Sequence, residues 1–413
     1  MMYRMTNLAR IAGLGALVAF AACDVDKRDL LGPTTPVGGE IFRSYVALGN
    51  SITAGFQSNG INDSTQRQSY ALLLARQMGT RYAYASLSMP GCTPPIANTQ
   101  TGALVGGASA APCSLRANAS VTDILNNVAV PGARVLDPAS RSTVASNALT
   151  TFILGGKTQV EKALDANPTF ATVWIGNNDV LVAGLSGILV PTPALGQNGI
   201  ISTQAQFQAS YDSLISQLTA GAPGLKGVLI GVAQVANLPS LSAGALIAAS
   251  PAIQAGLTAV AGTPVTVLPN CVGSTALINV PQLLGAIRAK THPALVSCGS
   301  AAPIAPAPVG DIFVLDPAEQ ATLAAVINGY NAYIKGKADA IGFAYYDPNV
   351  LFAAKRASGE IPPFPNFASA TATFGPLISL DGVHPSGAAH ILIANEIIGV
   401  INAKYGTTLR PVQ

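Results

Sequence analysis

Tyr45-Val46-Ala47-Leu48 is a short apolar run that stops at Gly49-Asn50-Ser51-Ile52, and a periodic segment over 70–78 follows it. An unbroken apolar run closed by glycine reads as a strand buried on both faces, and the 3.6-residue periodicity after it reads as a helix. The pattern recurs downstream. Val128-Ala129-Val130 ends at Pro131-Gly132, and a strand over 171–175, which contains Trp174, stops at Gly176-Asn177-Asn178-Asp179. A helix over 204–218 precedes Val228-Leu229-Ile230-Gly231-Val232, and a helix over 317–340 precedes Ala344-Tyr345-Tyr346. Short apolar strands alternating with helices imply an α/β fold whose parallel sheet is covered on both faces. Ligands of such sheets sit at the carboxyl ends of the strands, so the turns at 49–52, 131–132 and 176–179 are where function is expected.

Two segments break the alternation. Residues 85–125 and 239–311 are rich in Gly, Ala and Pro and are read as insertions over the sheet, with too little regular pattern to build cores of their own. Their cysteines are informative. Cys92, Cys113, Cys271 and Cys298 allow three pairings, of which Cys92 with Cys113 and Cys271 with Cys298 close short local loops and are the expected disulfides of an exported protein. None has a His or a second Cys at metal-ligand spacing, so no metal site is expected.

Export is read from the first residues. Arg4 and Arg10 precede an apolar stretch over 11–22 that is too short to span a bilayer as a mature helix, and small residues lead to Cys23. The run Phe20-Ala21-Ala22-Cys23 resembles the lipobox of bacterial lipoproteins, although Phe20 stands where Leu is usual. That resemblance implies a signal peptide over 1–22 and lipidation of Cys23, with a flexible tether over 23–43 and localisation at the bacterial cell envelope, the membrane left open. The folded domain is expected over 44–406 and a tail over 407–413. The 413 residues carry 10% charged side chains and a formal charge of +3, with Lys and Arg scattered, so no nucleic-acid partner is expected. A monomer is expected.

Four motifs can carry chemistry. Ser51 stands at the rim of the first strand, where a lone serine reads as well as a helix N-cap. Asp381-Gly382-Val383-His384-Pro385-Ser386 opens the last helix, and a carboxylate three residues before an imidazole can hold one ring nitrogen while the other faces the site. Of the three histidines only His384 has that spacing; His390 falls within the apolar period of the last helix and reads as structural, and His292 reads as a loop residue. Asn178 can donate an amide N–H to an oxyanion, and Gly132 lets a backbone N–H approach a substrate. Gly91, in Pro90-Gly91-Cys92, is a rival for that glycine.

Taken in order, the Ser, Gly, Asn and His blocks resemble those of the SGNH hydrolases, the GDSL-like lipases and esterases, over roughly 44–406. The resemblance implies a three-layer α/β/α sandwich with a mostly parallel, flavodoxin-like sheet of about five strands. It implies Ser51 as nucleophile, His384 with Asp381 as the base and its partner, and an oxyanion hole from Ser51, Gly132 and Asn178. Asn50 replaces the usual acidic residue before the nucleophile, and Asn127 before Gly132 favours that glycine over Gly91. The implied activity is ester hydrolysis without cofactor or metal, on a lipid, short acyl or acylated-glycan ester. A non-catalytic surface lipoprotein of the same fold and an acyltransferase are the rival readings.

Overall fold

The computed structural model describes residues 37–107, 113–114, 124–194, 197, 199–299 and 313–413. The signal peptide, Cys23 and most of the tether lie outside these residues. In chain order the described strands are β1 (Tyr45–Gly49), β2 (Phe170–Trp174), β3 (Lys226–Ile230), β4 (Leu241–Ala243), β5 (Thr266–Val267), β6 (Leu277–Asn279), β7 (Leu295–Val296), β8 (Val314–Leu315) and β9 (Ala344–Tyr346).

The central sheet is parallel, in the order β1-β2-β3-β9. Every position of β1 and β2 is buried, because alternate side chains enter different cores. Val46, Leu48, Ala171, Val173 and Leu229 face one core; Tyr45, Ala47, Phe170, Trp174, Val228 and Ile230 face the other. Helices Gln204–Gly221 and Pro317–Ile341 close the first face, where Phe207 stacks on Tyr330 with ring centroids 3.8 Å apart. Helices Tyr70–Met78 and Gly387–Tyr405 close the second through Leu74, Met78, Ile393, Ile397 and Ile401. Each such side chain contributes about 1.5–3 kcal/mol by leaving water. The result is the three-layer α/β/α sandwich. Capping boxes Thr203/Gln206 and Asp316/Glu319 fix the starts of the two long helices on the first face.

The fifth strand is reduced to a bridge. Residues 126–130 run parallel beside β1, with Val128 N–H to Ala47 O at 3.0 Å and Val130 N–H to Gly49 O at 3.2 Å, and Asn127 also bridges Tyr84. The ladder is incomplete, because Gly49 N–H donates to the Gln159 side chain rather than across to this segment.

The second insertion differs from expectation. It holds β4 and β6, an antiparallel pair that β8 extends from just beyond the insertion, the parallel pair β5-β7, and helices Gly244–Ala249, Pro251–Ala261 and Val280–Arg288. Ile247, Leu257, Ile278, Leu283, Leu284 and Val296 form a core there. Strands of two or three residues are too short to show a period of two, which is why the segment reads from sequence as an insertion without a core of its own. Cys271–Cys298 lies in this core, and Cys92–Cys113 pins the first insertion. The packed fold also extends beyond 44–406 at both ends: Phe42 is buried against Phe170, and Leu409 is buried and donates its N–H to the Asn402 side chain.

Candidate active site

The turn after β1 is held by neutral amides. Gln159 donates to Gly49 O and accepts from Gly49 N–H, both at 2.9 Å. Asn50, not Ser51, is the N-cap of helix Ser51–Ala54, accepting from Ile52 N–H at 3.1 Å. Ser51 is therefore the first helical residue, and its own N–H has no intrahelical partner.

The loop 378–385 brings the second block to it. Ile378 bridges Pro385, Ser379 N–H donates to His384 O at 2.8 Å, and Gly382 turns the chain at a φ of +72°, where a Cβ would meet Phe374 and Ser240. His384 Nε2 stands 2.9 Å from Ser51 Oγ, and His384 Nδ1 stands 2.8 Å from Asp381 Oδ2. The Asp381 side chain is 1% exposed and that of His384 11%. Asp381 Oδ1 accepts the N–H groups of Val383 and His384 and the hydroxyl of Ser379, and Oδ2 accepts Asn59 N–H at 2.9 Å. Burial alone would raise this carboxyl, but the adjoining His384 and the N–H groups of His384 and Asn59 bring it down to about 2. The ionised carboxylate fixes the proton on Nδ1, which leaves Nε2 free to accept from Ser51.

Asn178 lines one cleft with Ser51 and His384, and Gly132 follows the segment bonded to β1. The bond from Val130 N–H to Gly49 O sets the Gly132 turn beside the end of β1, and Asn178 Nδ2 donates to Ala133 O at 2.8 Å. Asn50 Nδ2 reaches Asn177 Oδ1 at 3.3 Å, tying the β1 turn to the β2 turn. Gly132 is exposed at a φ of +83°, whereas Gly91 is buried, with Ile61 O and Thr93 O closing on the place a Cβ would take. The other histidines are elsewhere. His390 is fully buried, its Nδ1 accepts Tyr70 N–H at 3.2 Å, and burial lowers its pKa to about 3. His292 is also buried, with Nδ1 2.8 Å from Pro293 O and its ring edge-on to Phe313.

Several contributors were not read from the sequence. Ser58 and Asn59, both at positive φ, form a turn that presents Asn59 N–H to Asp381 and Ser58 N–H to Ser379 Oγ. The only sequence signal for it is the turn-forming Ser58-Asn59-Gly60. Phe56 packs on the His384 ring with centroids 4.9 Å apart. Ser51, Asn178 and His384 open on a cleft of about 70 Å³ walled by Leu181, Val235, Leu238, Phe352, Ile361 and Ile378.

A family model described as GDSL-like lipase/acylhydrolase matches residues 45–397. The chain belongs to that family. It is a hydrolase acting on ester bonds. Among solved structures, this GDSL-like chain is similar to a catalytic variant of an acetylxylan esterase from Geobacillus stearothermophilus. That likeness has 11% identity and a TM-score of 0.37, over 90% of this chain and 97% of that one. It is also similar to an extracellular lipase from Streptomyces rimosus, with 15% identity and a TM-score of 0.36, over 87% of this chain and 99% of that one. No curated protein matches the chain.

Proposed function

We propose that this GDSL-like hydrolase is a serine carboxylic ester hydrolase that works through an acyl-enzyme and takes short, apolar acyl groups. The observation that carries the reading is the continuous hydrogen-bonded line from Asp381 through His384 to Ser51 Oγ at the mouth of an apolar cleft. In this reading His384 Nε2 takes the Ser51 proton as Oγ bonds to the carbonyl carbon, and Asp381 stabilises the resulting imidazolium. The orphan Ser51 N–H, the Gly132 N–H and the Asn178 amide hold the oxyanion. The leaving alkoxide takes the proton back from Nε2, and water then repeats the sequence on the acyl-enzyme, releasing the acid.

Cleft size supports the acyl preference. A cavity of about 150 Å³ holds benzene, so one of about 70 Å³ takes a chain of a few carbons. A second reading, a carbohydrate O-acetylesterase, is favoured by the wider cavity across Val383. That cavity is about 430 Å³ and is lined by Asn59, Thr99, Gln282, Arg288 and Thr373, side chains suited to a polar alcohol.

Turnover of nitrophenyl esters of graded length tests both halves. Acetate to butyrate should be preferred, and Ser51→Ala should lower turnover by several orders of magnitude in a folded protein. A folded Ser51→Ala protein with wild-type turnover would remove the mechanism, and rates that rise steadily to palmitate would remove the short-acyl preference. Release of acetate from acetylated xylo-oligosaccharides faster than from nitrophenyl acetate would select the second reading. We further propose that Cys23 carries lipid and anchors the protein at the cell envelope. Mature protein should then enter a detergent phase, and Cys23→Ala should not; a water-soluble mature form with an unmodified N-terminus beyond Cys23 counts against it.

A further inference from the structure

Asp179 takes no part in the proton transfers above, yet it is fully buried directly beside Asn178. Its Oδ2 accepts Val135 N–H at 2.9 Å, and its Oδ1 accepts the Ser202 hydroxyl. The Ser202 carbonyl in turn accepts the hydroxyl of Tyr330, from helix Pro317–Ile341. One residue earlier, Asn178 Nδ2 holds Ala133 O at 2.8 Å. The dipeptide Asn178-Asp179 therefore grips the chain at Ala133 and at Val135, the stretch that follows Gly132 immediately. Such a grip costs free energy, because a buried carboxylate forfeits hydration that two donors only partly replace. Burial raises this carboxyl to about 6 despite the bonds from Ser202 and Val135 and the nearby Arg134, with Asp137 adding to the rise. A cheaper neutral residue could fill the space, so the acceptor geometry itself has a use.

We propose that Asp179 is a positioning residue of the oxyanion hole: by fixing Val135 N–H while Asn178 fixes Ala133 O, it sets the Gly132 N–H and the Asn178 amide at one mutual spacing. The inference rests on the proposed mechanism and adds a residue to it. Two donors on different turns stabilise a developing oxyanion only when their separation matches it, and an error of a few tenths of an ångström weakens both. Substrate carbonyls carry less charge than the oxyanion, so a loosened grip should affect the transition state more than substrate binding.

The test compares wild type, Asp179→Ala, Asp179→Asn and Ser202→Ala with nitrophenyl acetate and with a short trifluoromethyl ketone, whose serine adduct presents an oxyanion. Asp179→Ala should lower kcat on the order of 10- to 100-fold with KM within about twofold, and should weaken the ketone by the same factor as kcat/KM. Asp179→Asn keeps an acceptor for Val135 and should recover most of the loss, and Ser202→Ala should give a several-fold loss of the same kind. A purely structural Asp179 would lower the unfolding midpoint and leave kcat and ketone affinity unchanged at temperatures where the variant is folded; that result overturns the inference. If Asp179→Ala does not fold, Ser202→Ala decides, and unchanged kcat and ketone affinity in it overturn the inference equally. A wild type without Ser51-dependent turnover would instead sink the mechanism, so the two failures are distinguishable.

Discussion

Replacing Asp381 with asparagine changes one oxygen to an NH2 group in a site crowded with donors. Five reach the carboxylate: the N–H groups of Asn59, Val383 and His384, the Ser379 hydroxyl, and His384 Nδ1. With the new nitrogen at the Oδ1 place, two backbone donors, Val383 and His384, lose their acceptor, and neither can turn away. With nitrogen at the Oδ2 place only Asn59 N–H is orphaned, because an imidazole can change tautomer and accept. The second placement is cheaper by one buried backbone donor, about 1–3 kcal/mol. It puts the imidazole proton on Nε2, facing Ser51 Oγ, where a base is required. Asp381→Asn should therefore cost about 1–3 kcal/mol of stability and about 10⁴-fold in kcat, the size of loss expected when a triad histidine is held in the wrong tautomer. Nitrophenyl acetate turnover and urea unfolding measure the two separately. A folded Asp381→Asn enzyme within tenfold of wild-type kcat would refute the reasoning.

Two further outcomes are expected. Asn178→Ala should lower kcat on the order of 10²- to 10³-fold with little change in KM, as for one oxyanion donor, and an unchanged kcat would show that another group fills the role. His390 concerns stability: its folded pKa of about 3 lies below the ordinary 6.5, so the unfolded chain binds the proton first and stability falls as pH drops from about 6.5 towards 3. The slope from this residue is about 1.4 kcal/mol per pH unit. Asp179 opposes it, since its raised pKa of about 6 makes stability rise as pH falls from 6 towards 3.8. Between pH 4 and 6 the two slopes oppose each other in wild type, so His390→Gln should make urea midpoints rise as pH falls across that range relative to wild type; identical slopes in the two proteins would refute the assignment.

What was legible in the sequence is what is local. Tyr45–Gly49 and Phe170–Trp174 are buried on both faces, which forces unbroken apolar runs. Asp381 and His384 are three residues apart, so their bond could be read directly. The Tyr70–Met78 helix has the expected bounds because Ser69 caps its start and Gly79 ends it in the left-handed conformation. What was illegible is long-range. Asn59 meets Asp381 across a sequence separation of 322 residues, and no periodicity announces that contact. The cleft wall is likewise assembled from Leu181, Val235, Phe352, Ile361 and Ile378, which belong to separate segments. The reduced fifth strand turned on side chains: Asn126 and Asn127 bond Tyr45 O and Thr53 O, a use of amides that a reading of apolar runs passes over.

Those amides have a common physical cause. A parallel sheet ends in backbone groups with no next strand to satisfy them, and at the carboxyl ends, where substrate must approach, helices cannot cover them all. Gln159 answers both groups of Gly49, Asn127 answers Thr53 O, Asn178 answers Ala133 O, and Asn50 reaches across to Asn177. An amide supplies a donor and an acceptor without charge, so burying it once bonded costs far less than burying an ion. It also leaves the local field to the charged groups that the reaction uses. A lysine at position 159 could not accept Gly49 N–H and a carboxylate there could not donate to Gly49 O, so an amide is the side chain that answers both groups. The small share of charged residues in the chain, 10%, is consistent with a site built from neutral polar contacts around one Asp–His pair.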